Sequence, residues 1–178
     1  MHLVARELIG CRLFRAGCGG VIVETESYER DDPACHAYVG LTARTEVLFG
    51  PPGRAYVYLS YGIHSLFNVV AEPEGEAAAV LIRAIEPTVG LEAMRERRGG
   101  RSDLELCSGP GKLTEAMGIG LADNGADLSR DPFTLLRPEP GWEAEIASGP
   151  RVGITKAVDR PWRFGAAGSP YVSRPSLR

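Results

Sequence analysis

The sequence has little of what marks the specialised classes of protein. Its net charge is only −3 over 178 residues, so overall charge does not by itself indicate a nucleic-acid-binding protein. No apolar run approaches the roughly 18 residues of a membrane-spanning helix. A basic segment followed by an apolar one, as a secretory signal would require, is also missing. We therefore expect a cytoplasmic protein without a membrane anchor.

Cysteine and lysine are also scarce. None of the four cysteines belongs to a C-x-x-C pair, so zinc or redox chemistry is disfavoured and free thiols are expected. Lys112 and Lys156 are the only lysines, which offers few amines for a Schiff-base mechanism. The sequence predicts no metal and no cofactor.

Glycine and proline, by contrast, are abundant. The 22 glycines and 13 prolines are spread along the chain and favour many turns and short strands over a helical bundle. We expect one α+β domain over residues 1–178, built around a curved, mainly antiparallel sheet with short peripheral helices and a protruding β-hairpin. The aromatic and β-branched segments 55–62 and 63–71 predict that hairpin. Other predicted elements are helices at 4–9, 90–98 and after the turn 108–111, and strands at 12–14, 20–28, 77–85, 133–136, 151–154 and 171–173.

The segment from Gly20 to His36 carries the first chemical signal. Because side chains alternate along a strand, one face of this segment combines two carboxylates with a phenol. The residues predicted for that face are Ile22, Glu24, Glu26 and Tyr28. A simpler interpretation is a half-buried strand whose exposed face happens to be acidic.

Further residues fit a site for a nucleobase extruded from a duplex. Such a site needs rings for stacking, a carboxylate that activates water, a cation beside it and a wedge that fills the vacated stack. Glu26 would be the base, and Arg83, the one charge in the predicted strand 77–85, would pair with a carboxylate or a phosphate. The rings would be Tyr28 and His36 on one side of the base and Tyr58 on the other, with Tyr61 as the wedge at the hairpin tip.

The residues alone leave structural alternatives open. Tyrosines on strands commonly serve packing. His36 and His64 also suit surface loops, and Arg83 could pair with its neighbour Glu86. Spacing by itself therefore does not decide between a base-binding site, a sugar-binding site and a packed sheet.

A series of short motifs extends through the chain in a fixed order. They are Val23-Glu-Thr-Glu-Ser-Tyr28 with His36, Tyr56-Val-Tyr-Leu-Ser-Tyr-Gly62 with Asn68, Val80-Leu-Ile-Arg-Ala-Ile-Glu-Pro87, Leu106-Cys-Ser-Gly-Pro-Gly-Lys-Leu113, Gly149-Pro-Arg-Val-Gly153 and Gly168-Ser-Pro-Tyr-Val-Ser173. Together they resemble the alkyladenine DNA glycosylase family, also called the methylpurine or 3-methyladenine DNA glycosylases. The resemblance implies a single mixed domain with a curved antiparallel sheet and no metal.

The resemblance also implies roles for individual residues. Glu26 would activate a water, aided by Arg83 and by the main-chain carbonyl of Val152. Asn68 would disfavour unmodified guanine through the exocyclic amine of that base, and Tyr61 would enter the minor groove. The walls that stack the extruded base would be Tyr28, His36 and Tyr58.

The expected partner is double-stranded DNA that contains damaged purines. Arg44, and Lys112 in a turn at a helix N-terminus, are expected to contact phosphates. The turn Gly109-Pro-Gly111 also resembles the hairpin of helix-hairpin-helix glycosylases, but the strand-rich surroundings argue against that architecture. We expect the protein to act as a monomer.

The expected reaction is hydrolysis of an N-glycosidic bond through an oxocarbenium-like transition state. A monofunctional enzyme of this kind leaves an abasic site and cuts no strand. Expected substrates are 3-methyladenine, 7-methylguanine, hypoxanthine and ethenoadenine in duplex DNA. Two other functions fit the same residues, namely a damage-binding module without catalysis and a hydrolase of free nucleosides.

Overall fold

The computed structural model describes residues 1–177. Within them, eight strands form one antiparallel sheet that curls into a half-barrel. The strands are β1 (Arg12–Arg15), β2 (Cys18–Glu29), β3 (Ala55–Ser60), β4 (His64–Val70), β5 (Ala78–Val89), β6 (Phe133–Leu136), β7 (Ile146–Gly149) and β8 (Arg163–Ala166). Short helices surround the sheet: α1 (His2–Glu7), α2 (Leu91–Arg97), α3 (Asp103–Leu106) and α4 (Pro110–Met117). The predicted α+β class with a curved antiparallel sheet is confirmed.

The order of strands places β2 at the centre of the molecule. The sheet runs β3-β4-β5-β2-β1-β6. The edge of β2 opposite β5 pairs first with β1 and then, further along the strand, with β8. Strand β8 also pairs with β7. Both β2 and β5 are 12 residues long and buried over most of their length. Since both faces of this pair are covered, the two strands combine apolar residues with the buried polar ones that form the site.

The pairing of β2 with β5 is irregular around Glu24. The register shifts between Ile22 and Glu24 and again between Glu24 and Thr25. Ile22 consequently packs in the main hydrophobic cluster, whereas Tyr28 packs against a second cluster. The prediction that Ile22 shares a face with the carboxylates was therefore wrong, because a register shift changes which face a side chain occupies.

Two apolar clusters hold the fold together. The main cluster fills one face of the sheet and includes Phe67 of β4 and Phe133 of β6, whose stacked rings lie 5.5 Å apart between centroids. The smaller cluster lies under the loops that follow β2 and includes Leu48 and Tyr56. Helix α4 is fixed to the hairpin strand β4 by the Thr114 hydroxyl, which donates to the Ser65 carbonyl at 2.6 Å.

Several predicted elements are confirmed and others are corrected. The hairpin β3–β4, the turn into α4 and strand 133–136 are present. Strand β5 continues through Pro87, which pairs with Gly20, instead of ending before it. Segments 151–154 and 171–173 are not strands, and β7 and β8 lie elsewhere in this part of the chain. Buried polar contacts, rather than a strand ladder, fix these two segments.

The cysteines and the helices were also the subject of predictions from the sequence. All four cysteines are free, as predicted, and three of them are buried. In residues 1–177 no helix is both long and apolar enough to cross a membrane.

Candidate active site

Strand β2 carries Glu26 to the middle of the sheet, between Leu81 of β5 and Arg163 of β8. The side chain is fully buried. Its Oε1 accepts hydrogen bonds from the Val152 backbone N–H at 2.8 Å and from Arg83 Nη1 at 3.0 Å. Three donors thus orient one buried carboxylate, since the hydroxyl of Tyr28 donates to Oε2 at 2.8 Å. Val152 contacts Glu26 through this N–H, whereas a role for its carbonyl stays a prediction.

The environment of Glu26 stabilises the protonated form of its carboxyl group more than bulk water would. Burial raises the pKa of Glu26 above its ordinary value, and the negative charge of Glu24 raises it further. Arg83 opposes this shift most strongly, followed by the N–H of Val152 and the hydroxyl of Tyr28. A carboxylate with a raised pKa is suited to take a proton from water.

Arg83 is buried, and all three nitrogens of its guanidinium donate to protein acceptors. Nε donates to Glu24 Oε1, Nη1 to Glu26 Oε1 and Nη2 to the Ser173 hydroxyl, each at 3.0 Å. The structural alternative, a pair with Glu86, is wrong: Arg83 faces the carboxylates of β2 instead.

A cavity of about 630 Å³ opens in front of this carboxylate. That volume is typical of sites for small ligands or single nucleobases. Tyr28, Arg83 and Val152 line the cavity, and Glu26 lies immediately behind them. Other lining residues include Cys35, His36, Arg44, Tyr56, Tyr58, Tyr61, His64, Asn68, Gly111 and Lys156.

The aromatic rings are grouped differently from the prediction. His36 and Tyr58 contact each other edge to face, with 4.4 Å between ring centroids. No base fits between two rings this close, so His36 and Tyr58 belong to the same wall and Tyr56 continues it. The prediction that His36 shares a side with Tyr28 was therefore wrong. The ring of Tyr28 instead lies 4.6 Å from the guanidinium of Arg151.

His36 is held neutral. Burial, followed by the charge of Arg44, lowers its pKa to about 4. Arg44 Nη2 lies 3.3 Å from Nε2 of the ring, so Nε2 accepts and Nδ1 donates to the Tyr56 hydroxyl at 2.9 Å. Burial also raises the pKa of Tyr58 to about 12, so this wall carries two uncharged rings at neutral pH.

The remaining predicted residues surround the cavity. Asn68 is buried in the cavity wall and donates to the Tyr56 carbonyl at 3.1 Å. Tyr61 is 88% exposed at the hairpin turn with a φ of 51°, a left-handed conformation that is uncommon for tyrosine. The guanidinium of Arg44 lies 5.7 Å from the Tyr58 ring centre. Lys112 is exposed in the first turn of α4, with Nζ 3.5 Å from the Ser108 hydroxyl.

Sequence reasoning missed the buried polar residues behind the site. Glu24 was noted only as a carboxylate on the same strand face, yet it binds Arg83, Arg163 and Ser173. Asp32 and Arg151 form an ion pair with both side chains fully buried. One signal was available for Arg163, which is a charged residue beside the apolar pair Phe164-Gly165.

Comparison with known proteins identifies the class. The relatives from Rhodopseudomonas palustris, Nitrosospira multiformis and Granulibacter bethesdensis each bear the name "Putative 3-methyladenine DNA glycosylase". The first is 58% identical over 178 residues, covering 100% of this chain and 85% of the relative. The second is 54% identical over 97% of this chain and 88% of the relative, and the third 54% over 96% and 81%. The chain is accordingly a DNA glycosylase, an enzyme of base-excision repair that hydrolyses N-glycosyl bonds.

A family model gives the closer assignment. The model described as "Methylpurine-DNA glycosylase (MPG)" matches residues 1–170. The chain belongs to the methylpurine-DNA glycosylase family, and the resemblance stated from the sequence motifs is confirmed.

Proposed function

We propose that this enzyme extrudes damaged purines from duplex DNA and hydrolyses their N-glycosidic bond with a water that Glu26 activates. The proposed substrates are 3-methyladenine, 7-methylguanine, hypoxanthine and ethenoadenine. The products are the free base and an abasic site in an uncut strand. We further propose that the protein acts as a monomer on chromosomal DNA.

The observation that carries this proposal is the set of contacts around Glu26. A carboxylate offers about four acceptor positions, and the donors from Arg83, Val152 and Tyr28 occupy three of them. One position is left for a water molecule. Because the three donors also orient the carboxylate, its free lone pair has a fixed direction, as general base catalysis requires.

The two walls of the cavity favour a cationic purine. Alkylation at N3 or N7 gives the purine a positive charge, which makes it a good leaving group. It also strengthens contact with electron-rich rings by roughly 0.5–2 kcal/mol. Tyr28 on one side and the neutral pair His36 and Tyr58 on the other supply such rings. Asn68, buried in the wall, is the proposed residue that disfavours unmodified guanine.

The surface around the cavity supports binding to a duplex. Tyr61 protrudes from the hairpin turn beside the cavity, where it could fill the gap left by an extruded base. Arg44 and Lys112 are proposed to hold the phosphates on either side. Pro110 and Gly111, at the start of α4, line the cavity as well.

The decisive experiment compares Glu26→Gln with the wild-type enzyme on duplexes that each carry one lesion. Loss of a general base costs on the order of 10²- to 10⁴-fold in rate, so single-turnover release of the base should fall by that factor. Binding to the same duplex should persist, because the change is buried. Glu29→Gln on the same strand is the matched control and should retain activity. Near wild-type excision by Glu26→Gln would reject the proposed role.

A second measurement tests whether the enzyme is monofunctional. Of the two lysines of the sequence, Lys156 is the one that lines the cavity. A Schiff base between this lysine and the sugar would be trapped by borohydride, and the strand would break. We expect no trapped complex and an intact strand until alkali is added.

A further inference from the structure

Behind the proposed catalytic carboxylate lies a second buried carboxylate, Glu24, which does not line the cavity. Its Oε1 accepts from Arg83 Nε at 3.0 Å and from Arg163 Nη1 at 3.1 Å. Ser173 adds two donors, with its backbone N–H 2.6 Å from Oε2 and its hydroxyl 2.9 Å from Oε1. Protein donors thus hold both oxygens of Glu24, three on Oε1 and one on Oε2. Because the side chain is also fully buried outside the cavity lining, it has no contact with a bound substrate.

These contacts fix the orientation of Arg83. Glu24 holds Nε and the Ser173 hydroxyl holds Nη2, so the planar guanidinium can present only Nη1 to Glu26. Ser173 also links the partners, since its hydroxyl accepts from Arg83 and donates to Glu24. Arg163, which further donates to the Pro175 carbonyl at 2.9 Å, provides the second positive charge that a buried carboxylate pair requires.

We propose that Glu24 and Ser173 are positioning residues for base excision, which hold Arg83 so that it orients Glu26 and shares its charge between two carboxylates. This inference rests on the proposed function of Glu26. It assigns Ser173 to the support of the site, although Ser173 does not line the cavity.

The charges around Glu26 predict how removal of Glu24 acts. Two ionisable groups contact Glu26 directly, Arg83 from β5 and Tyr28 from β2. The ionisable groups next to these contacts or to the β2 backbone are Glu24 from β2, Arg163 from β8, Arg151 after β7 and Tyr58 from β3. Glu24 is the only other carboxylate among them. Glu24→Gln removes its repulsion and releases Arg83 to pair with Glu26 alone. Both effects lower the pKa of Glu26.

The test combines kinetics with a direct titration. Glu24→Gln should lower the single-turnover rate of excision at neutral pH by at least about 10-fold. A displacement of a catalytic group by a fraction of an ångström lowers the reaction rate by about that factor. Duplex binding should stay unchanged. The carboxyl carbon of Glu26, followed by NMR and assigned by its absence in Glu26→Gln, should titrate at lower pH than in the wild type.

Two further variants keep the test informative if Glu24→Gln does not fold. Ser173→Ala removes the shared hydroxyl and should slow excision, whereas Ser173→Thr keeps the hydroxyl and should restore it. Asp123→Asn is the matched control, since Asp123 is a buried carboxylate that pairs with Arg15 away from the cavity. It should change stability but neither the rate nor the Glu26 titration.

Each outcome of these measurements either supports or overturns the inference on Glu24 and Ser173. A slower rate with a lowered Glu26 titration supports the inference. A wild-type rate, or a slower rate with an unchanged titration, overturns it. Retained excision in Glu26→Gln would reject the proposed function, while the titration would still test the link from Glu24 through Arg83 to Glu26.

Discussion

At the scale of single residues, the side chain of Tyr28 makes two separate contributions to the candidate site. It donates to Glu26 Oε2 at 2.8 Å, and its ring forms one side of the cavity. Burial and the adjacent Glu26 raise the pKa of Tyr28 well above its ordinary value, so the hydroxyl stays protonated and remains a donor. The two contributions can be separated by a change that keeps the ring.

Tyr28→Phe should shift the pH dependence of excision. The hydroxyl lowers the pKa of Glu26, so its loss raises that pKa and leaves less ionised carboxylate at a given pH. The acid side of the profile, where activity falls as pH falls, should move to higher pH. Single-turnover rates measured from pH 5 to 8 provide the check.

Tyr56→Phe is the control for this change. It removes another hydroxyl from the same cavity, but one that contacts His36 rather than Glu26. The acid side of the pH profile of Tyr56→Phe should match that of the wild type. Coincident acid sides for Tyr28→Phe and wild type would show that the hydroxyl does not tune Glu26.

The contacts among the proposed catalytic residues could be predicted because their residue types stand out locally. Glu26, Tyr28 and Arg83 interrupt β-branched strands, and alternation places side chains of one strand on a common face. The partners of Glu24 could not be predicted in this way. Arg163 and Ser173 lie 139 and 149 positions from Glu24, and no local pattern joins them.

At the scale of elements, the hairpin β3–β4 separates the cavity wall from the exposed tip. Tyr58 lies in the wall, whereas Tyr61 lies in the turn with most of its side chain exposed. This part of the fold was predicted well, since aromatic and β-branched runs around Gly62 are typical of hairpins. The register shift beside Glu24 was not, because one slipped residue leaves no signature in composition.

Tyr61→Ser should weaken duplex binding and leave folding intact. Loss of a stacking ring costs about 1–3 kcal/mol of binding free energy. An exposed position should change unfolding by no more than about 0.5 kcal/mol. Fluorescence anisotropy with a lesion duplex and thermal unfolding measure the two effects.

The same variant separates two candidate functions. Hydrolysis of free nucleosides needs no wedge and should be unaffected by Tyr61→Ser. Leu3→Ser, at an exposed residue of α1 outside the cavity, is the control for loss of an exposed apolar side chain. Equal duplex binding by all three proteins would argue against insertion of Tyr61 into DNA.

At the scale of the whole molecule, one buried ion pair ties distant parts of the chain together. Asp32 follows β2, and Arg151 follows β7. Arg151 also donates to the Ser27 carbonyl at 3.0 Å and precedes Val152, whose N–H binds Glu26. The pair thereby joins the loop before His36 to the backbone that contacts the carboxylate.

Asp32→Ala should destabilise the fold by about 3–5 kcal/mol, because it leaves the buried charge of Arg151 without its main partner. Denaturant unfolding gives the free energy. The double variant Asp32→Ala with Arg151→Met removes both charges and should recover part of the loss. A single variant within about 1 kcal/mol of wild type would mean that the pair is dispensable.

The spacing of the site along the chain has a consequence for biosynthesis. Glu24 and Glu26 leave the ribosome long before Arg163 and Ser173, since position 173 comes 147 residues after position 26. At roughly 5–20 residues per second, that interval lasts on the order of 10 s. During it, the nascent polypeptide lacks Arg163 and Ser173, which hold Glu24 in the folded protein. Under the proposed roles of Glu26 and Ser173, we expect an unfinished translation product to be inactive and base excision to begin only when synthesis of the enzyme is nearly over.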